Sequence, residues 1–534
     1  MLKRVRVVSG RRHMFGAPLV MSAVVAATMF LSPAPAWAKS DLDTLFDQAM
    51  ERYQPAGMVV GVIEDGKVVS RRVGGELRAG EGQPVDADTL FKIASNSKAM
   101  TAAVLARLVD RGVLRWDDKV TKYLPEFRMN DPWVSENMQV RELLTHNSGL
   151  GSATGDMMLW PEPNHFSRAD IINALAYFKP GHGFRNHYGY SNVMYVLAGE
   201  VASRAAGKPF DQLVREEIFQ PLGMNRCQVG EWSRDGVGNV AQPHRRVEER
   251  NVVIREDGEI IPDIPMTAAG AIRCSLDDML AWMGALLEPE RHPDWLSVEQ
   301  RRALWTLHVP MPITERMREW DGTRMYGYGY GWRISDVDGE WKVAHTGTLS
   351  GMNSSMVLLP DRRSGFIMLI NSEGGDARIA LGQALTEYFT DPDNGADVIH
   401  YADLLVKERE KSATTDDDSE PDASNKRPVA ASEFATWQGR YRDAWFGEAT
   451  ICPVDDRIVF HMEKSPRMKG VVSQLDGRWL LTWDEPGVAA PAWLEFSDTT
   501  NGGMKLSLSH FGEVRNSSNF GDLAFTRTAG CGTP

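Results

Sequence analysis

Ser95-Asn-Ser-Lys98 sets a hydroxyl and an amine three residues apart at the start of an amphipathic stretch. Side chains at i and i+3 share a helix face, so Ser95 Oγ and Lys98 Nζ meet if this segment is helical. From Phe91 to Gly112 the apolar residues Met100, Val104, Leu105, Leu108 and Val109 recur at helical spacing, and Gly112 is a natural stop. A serine in the first helical turn has the positive end of the helix dipole beneath it, which favours negative charge there. Alone the pattern is weak. Roughly one to three S-x-x-K matches arise by chance in a chain this long, and it also fits a serine-rich helix start with a solvated lysine.

Two further segments change that balance. Tyr190-Ser-Asn192 follows Pro180-Gly-His-Gly-Phe184 and precedes an apolar run from Val193 to Leu197; His345-Thr-Gly347 closes a strand pattern from Trp341 to Ala344. Taken singly, Tyr190 fits a core aromatic and Thr346-Gly347 an ordinary turn. In this order, S-x-x-K, Y-x-N and [K/H]-T-G resemble the penicillin-recognising serine hydrolases, the superfamily of class C β-lactamases, DD-carboxypeptidases, D-aminopeptidases and related esterases. Leu143-Leu-Thr-His-Asn-Ser-Gly-Leu150, Pro221-Leu-Gly-Met224, Ala269-Gly-Ala-Ile-Arg-Cys-Ser275 and Leu369-Ile-Asn371 resemble framework segments of the same family, so the similarity covers roughly residues 45 to 390.

The resemblance implies a serine acyl-enzyme. Ser95 attacks a carbonyl carbon and splits one hard step into two easier ones. Lys98 can take the serine proton only when neutral, a state that burial favours, so its amine is expected to be inaccessible to solvent. Tyr190 shares the proton transfer; which of the two is the base stays open. Asn192 is expected to orient Lys98 and to bond a substrate amide. The backbone N–H groups of Ser95 and Thr348 would form the oxyanion hole. His345, Thr346 and Gly347 would line the substrate strand, Gly347 by admitting the substrate backbone. His345 stands where β-lactamases carry lysine, so the attraction for a substrate carboxylate is expected to be weaker and pH-dependent, which argues against efficient β-lactam hydrolysis. A packed structural histidine is the plain alternative. His146 is expected to stabilise its loop, while His182 and His187 are minor candidates for the pocket wall. No cofactor is implied, and no Cys/His spacing suggests a metal site.

The N-terminus reads as a targeting segment. Lys3, Arg4, Arg6, Arg11 and Arg12 precede an apolar run from Phe15 to Leu31, and Ala36-Trp-Ala38 has a small-x-small cleavage pattern. The expectation is a signal peptide over residues 1–38, cut after Ala38 and using the general export route rather than the twin-arginine one. The mature protein would then be periplasmic or secreted, without a membrane anchor. Losing five positive charges takes the formal net charge from −13 to −18, which disfavours nucleic acid and anionic lipid as partners. An exported chain can oxidise Cys227, Cys274, Cys452 and Cys531; their pairing is open among three connectivities and free thiols.

Alternating patterns predict a hairpin at Met58–Ile63 and Lys67–Val69, helices and long loops from about 96 to 285, and strands at Tyr326–Ile334, Trp341–His345, Ser354–Leu359 and Gly365–Ile370, then a helix at Ala377–Phe389. Hairpins at both ends with a helical insertion indicate an α/β fold: a β-lactamase/transpeptidase-like sandwich, its antiparallel sheet flanked by helices, with an all-helical subdomain. The hydrolase domain is expected over 39–405, a disordered acidic linker over 406–432 and a small all-β domain over 433–534. Trp437-Gln-Gly-Arg-Tyr-Arg-Asp-Ala-Trp-Phe-Gly447 and Asn519-Phe-Gly-Asp-Leu-Ala-Phe525 resemble the first and last strands of a lipocalin-like barrel often appended to this family, with either a ligand cavity or a filled core. The expected function is an exported serine hydrolase, a peptidase or amidase on small D-amino-acid-containing peptides such as a D-aminopeptidase. A carboxylesterase or β-lactamase with the same centre is the alternative, and a non-catalytic β-lactam or peptide receptor the competing class. A small molecule or short peptide is the expected partner; homo-oligomers stay open.

Overall fold

The computed structural model describes residues 41–393, 395–415, 422–499, 502–512 and 520–532. The expected signal peptide lies outside the described residues. Among the described residues, no helix is long and apolar enough to cross a membrane.

The N-terminal unit is built on an eight-stranded antiparallel sheet. Its strands are β1 (Gly57–Glu64), β2 (Lys67–Gly75), β3 (Val309–Pro310), β4 (Tyr326–Tyr328), β5 (Arg333–Val337), β6 (Glu340–Leu349), β7 (Met352–Leu359) and β8 (Ser364–Ile370). Their order across the sheet is β2-β1-β8-β7-β6-β5-β4-β3, so the N-terminal hairpin joins strands more than 300 residues later. β1, β7 and β8 are buried almost throughout because both faces are covered. On one face lie α1 (Leu42–Tyr53), α5 (Gly375–Thr390) and α6 (Val398–Thr415), packed through Leu45, Phe46, Leu381 and Tyr401. On the other lie α2 (Ser97–Asp110), α3 (Asn192–Ala206) and α4 (Leu276–Leu287), whose buried side belongs to a second, larger apolar cluster.

Two sequence expectations are corrected. The expected strand Tyr326–Ile334, in which aromatics alternate with glycines, is not continuous: β4 ends at Tyr328, and Gly329–Trp332 turns back. Gly331 has φ +81°, and a Cβ there would lie 2.7 Å from the Lys98 carbonyl oxygen, so the run bends because it must pass α2 closely. The expected unstructured linker is also shorter. α6 continues to Thr415, Arg427–Pro428 pairs with a barrel strand and Val429 is buried; residues 416–421 lie outside the described residues.

The C-terminal unit is a closed barrel of eight strands: β9 (Gly439–Asp443), β10 (Gly447–Val454), β11 (Arg457–Met462), β12 (Ser465–Leu475), β13 (Arg478–Trp483), β14 (Ala492–Asp498), β15 (Met504–His510) and β16 (Phe525–Ala529). β9 pairs with β16 and β12 with β13, which closes the ring. Tyr441, Phe446, Phe460, Met462, Leu481, Leu494 and Phe525 fill the interior. Of the two expectations for the barrel, the packed core is the one realised. Cys227–Cys274 and Cys452–Cys531 are the disulfides, one within each unit.

Candidate active site

Ser95 does not sit in α2 itself. It lies in a single 3-10 turn, Ala94–Asn96, that leads into α2 at Ser97. Ala94 holds φ +50°, a left-handed conformation unfavourable for alanine by roughly 1–2 kcal/mol. The surroundings hold that conformation in place. Phe91–Lys92 pairs with Arg273–Cys274, the strand tied by the Cys227 disulfide, and Ile93 N–H donates to the Ile272 carbonyl (3.0 Å). Ser354 Oγ, on β7, donates to the Ile93 carbonyl (2.7 Å) and accepts from Asn96 Nδ2 (2.7 Å). Strain concentrated beside a reactive group is a recurrent feature of functional sites.

Around this turn the structure gathers the side chains that the motifs singled out. Lys98 Nζ donates to Ser95 Oγ (3.1 Å), to Asn192 Oδ1 (2.7 Å) and to the Ala269 carbonyl (2.7 Å). Its side chain is fully buried, and Nζ lies 5.0 Å from the Tyr190 ring centroid and 5.3 Å from that of Tyr195. The Tyr190 hydroxyl donates to Ser95 Oγ at 2.9 Å. One hydroxyl thus faces an amine and a phenol at once. Asn192 caps the arrangement by donating its Nδ2 to Asp156 Oδ2 (2.9 Å).

The histidines serve as packing. His146 Nδ1 accepts from the Ser191 N–H (3.0 Å), and its ring lies 4.3 Å from that of Tyr190, which fixes the second motif. Burial and the nearby Lys98 charge push its pKa well down, so it stays neutral. His182 and His187 stack on each other at the surface (4.2 Å) and do not line the cleft.

His345 and Gly347 require correction as substrate-binding residues. His345 is buried; its Nε2 bonds the Tyr328 hydroxyl (2.9 Å) and its Nδ1 is 2.7 Å from the Thr346 carbonyl oxygen. On β6 successive side chains alternate faces, so His345 points into the core while Thr346 and Thr348 line the cleft. Burial, then the charges of Arg333 and Lys98, depress its pKa well below the usual value. Gly347 is buried too. A Cβ there would lie 2.3 Å from the Ile93 carbonyl oxygen and 2.9 Å from Ala94 Cβ, so this glycine admits the nucleophile turn rather than the substrate.

The positive charge missing at position 345 comes from elsewhere. Arg333, on β5 beside β6, donates to Thr346 Oγ1 (2.9 Å); Arg378, near the start of α5, donates to the Gly347 carbonyl and to Thr348 Oγ1 (both 2.7 Å). Burial and the charge of Arg333 lower Arg378 to about 10, still a cation at neutral pH. Among the described residues, no carboxylate forms an ion pair with either guanidinium. Two guanidinium groups thus occupy that side of the cleft although His345 is turned away from it. Sequence reasoning missed both because no local motif marks them; β-sheet neighbours and a helix start bring them together.

Ser95, Tyr190, Asn192, Thr346, Thr348, Arg333 and Arg378 line one cleft of ≈ 2590 Å³. Its far wall comes from the barrel, through Arg467, Met468 and the β13–β14 loop Pro486–Pro491. Lys464 fastens the barrel to the catalytic unit: it pairs with Asp170 (2.6 Å), and its carbonyl accepts from His165 N–H (2.7 Å). Phe166 packs on Phe446 (5.0 Å between centroids) and Phe178 on Trp445 (4.8 Å). Among the described residues, no cluster of three or more His, Cys, Asp or Glu could hold a metal ion.

The sandwich and its Ser–Lys–Tyr constellation, with the lysine buried and the serine open to the cleft, define a serine hydrolase of the β-lactamase and penicillin-binding class. The family model described as Beta-lactamase matches residues 42–387, and the chain belongs to that family. It is 26% identical over 359 residues to Penicillin-binding protein 4* of Bacillus subtilis (strain 168), covering 63% of this chain and 72% of that protein. Similarity to Unguisins hydrolase ungD' of Aspergillus campestris is 24% identity over 441 residues, 79% of each chain. Esterase EstB of Burkholderia gladioli is 36% identical over 203 residues, 35% of this chain and 50% of the esterase. Among solved structures, the octameric penicillin-binding protein homologue from Pyrococcus abyssi has the same fold, with a TM-score of 0.54, 20% identity and coverage of 91% of this chain and 99% of that one.

Proposed function

We propose that this serine hydrolase is an exported peptidase or amidase that acts on small D-amino-acid-containing peptides through an acyl-enzyme on Ser95. The observation that carries the reading is the contact of one hydroxyl, Ser95 Oγ, with both the Lys98 amine and the Tyr190 phenol. The Ser95 proton passes to Lys98 Nζ, directly or through the phenol, as Oγ bonds the carbonyl carbon. The leaving amine is then protonated along the same path, and water repeats the sequence to free Ser95. The N–H groups of Ser95 and Thr348 hold the developing oxyanion.

The substrate class follows from charge. Arg333 and Arg378 offer guanidinium donors beside Thr346 and Thr348, a setting that suits a carboxylate. A peptide ending in a free carboxylate fits this side, with its scissile carbonyl over Ser95. Two disulfides support export, because they persist in oxidising compartments. The similarity to an esterase favours a second reading, in which short esters are cleaved by the same centre.

A substrate panel on the purified protein tests this. Turnover of D-alanyl-D-alanine peptides and D-alanyl anilides, above that of nitrophenyl esters, is the expected result. Turnover of esters alone selects the esterase, and stable labelling by fluorescent penicillin without turnover selects a receptor.

A further inference from the structure

The hydrogen-bond path from Ser95 does not stop at Asn192. The Asn192 amide accepts from Lys98 on one side and donates to Asp156 on the other. A carboxylate oxygen can only accept, so it admits a single orientation of the amide, with Oδ1 facing the amine. Asp156 opens the single 3-10 turn Asp156–Met158, between buried apolar neighbours, and lines the cleft. Its second oxygen, Oδ1, is buried without a hydrogen-bond partner. Among the described residues, Lys98 is the titratable group whose charge bears on this carboxyl. Burying an unpaired carboxyl is costly, and its neighbours Met157 and Met158 need no such group for their packing. Asparagine would satisfy the amide contact as well, without the charge.

We propose that Asp156 is a positioning residue, whose carboxylate fixes the Asn192 amide and balances the charge that Lys98 gains when it takes the Ser95 proton. In that step the Ser95 O–H bond breaks, the Oγ–carbon bond forms, the carbonyl electron pair moves to oxygen and the proton ends on Lys98 Nζ. The step thus builds negative charge on the carbonyl oxygen and positive charge on Lys98. The Asp156 charge, transmitted through the oriented Asn192 dipole, lowers the energy of the ammonium. Burial pushes the Asp156 carboxyl up to about 7, so its ionisation falls within the range where the enzyme would work.

The inference rests on the acyl-enzyme reading, and one experiment separates the two. A fluorophosphonate probe labels an activated serine whatever the natural substrate, so the labelling rate of Ser95 is followed against pH by mass spectrometry, beside the melting temperature. In wild type the rate is expected to rise with an inflection near pH 7. In Asp156→Asn it should fall ten- to a hundredfold at pH 8 and lose that inflection, with no drop in melting temperature. Asp156→Ser serves in the same assay if the first variant folds poorly. Wild-type rate and pH profile in a folded variant overturn the inference, as does a loss that tracks the melting temperature in both variants. Wild-type protein that takes no label overturns the acyl-enzyme reading and this inference with it.

Discussion

The two units of this chain bury polar groups to opposite ends. In the catalytic unit Lys98, His146, Asp156, Asn192 and His345 are all buried and hydrogen-bonded: Lys98 to Asn192, Asn192 to Asp156, His146 to the Ser191 N–H and His345 to the Tyr328 hydroxyl. In the barrel the interior is aromatic and aliphatic, and the buried Asp443 serves the backbone: it accepts from the N–H groups of Trp445, Phe446 and Ala524. Burying polar groups costs free energy unless they are paired. The catalytic unit bears that cost where charge must appear during a reaction, whereas in the barrel Asp443 closes a turn. The barrel contributes a wall of the cleft through Arg467, Met468 and the β13–β14 loop.

Four changes would break or sharpen this contrast. Ser95→Ala should show the largest effect, a loss of about 10⁶ in kcat with an unchanged melting temperature, because the side chain reacts but carries little packing; appreciable turnover would end the comparison. Phe460→Ala, in the barrel core, should do the reverse: about 3–5 kcal/mol of destabilisation in denaturant melts, with Ser95 labelling retained in the folded fraction. Third comes a pH effect on stability. The Asp156 carboxyl is raised to about 7 in the folded chain, above its ordinary value, so its contribution to stability is fully present at low pH and is lost as pH rises from about 4 through 7. Asp156→Asn should remove that decline, worth up to about 4 kcal/mol, as measured by melts across the range. Arg333→Ala should have the smallest effect, raising KM about tenfold for carboxylate-bearing substrates while leaving neutral esters almost untouched.

Much of the site was legible because its motifs are local. The i, i+3 spacing of Ser95 and Lys98 needs one turn of helix, and Tyr190 with Asn192 opens the next apolar helical run. His345 was misplaced for a simple reason: alternation along β6 decides which side chains face the cleft, and the phase of that alternation is set by pairing with β5 and β7. Gly347 was assigned the wrong neighbour because the nucleophile turn lies far away in sequence.

Local periodicity and residue chemistry singled out Ser95, Lys98 and Tyr190, the strands that pair as hairpins and the separate β unit that follows, since all of these depend on neighbours a few residues apart. Tertiary packing alone decided that Arg333 and Arg378 meet beside Thr346, that His345 turns inward, that Asp156 stands behind Asn192 and that barrel loops wall the cleft. Those contacts join segments from 13 to nearly 400 residues apart, a separation that only the folded chain can bridge.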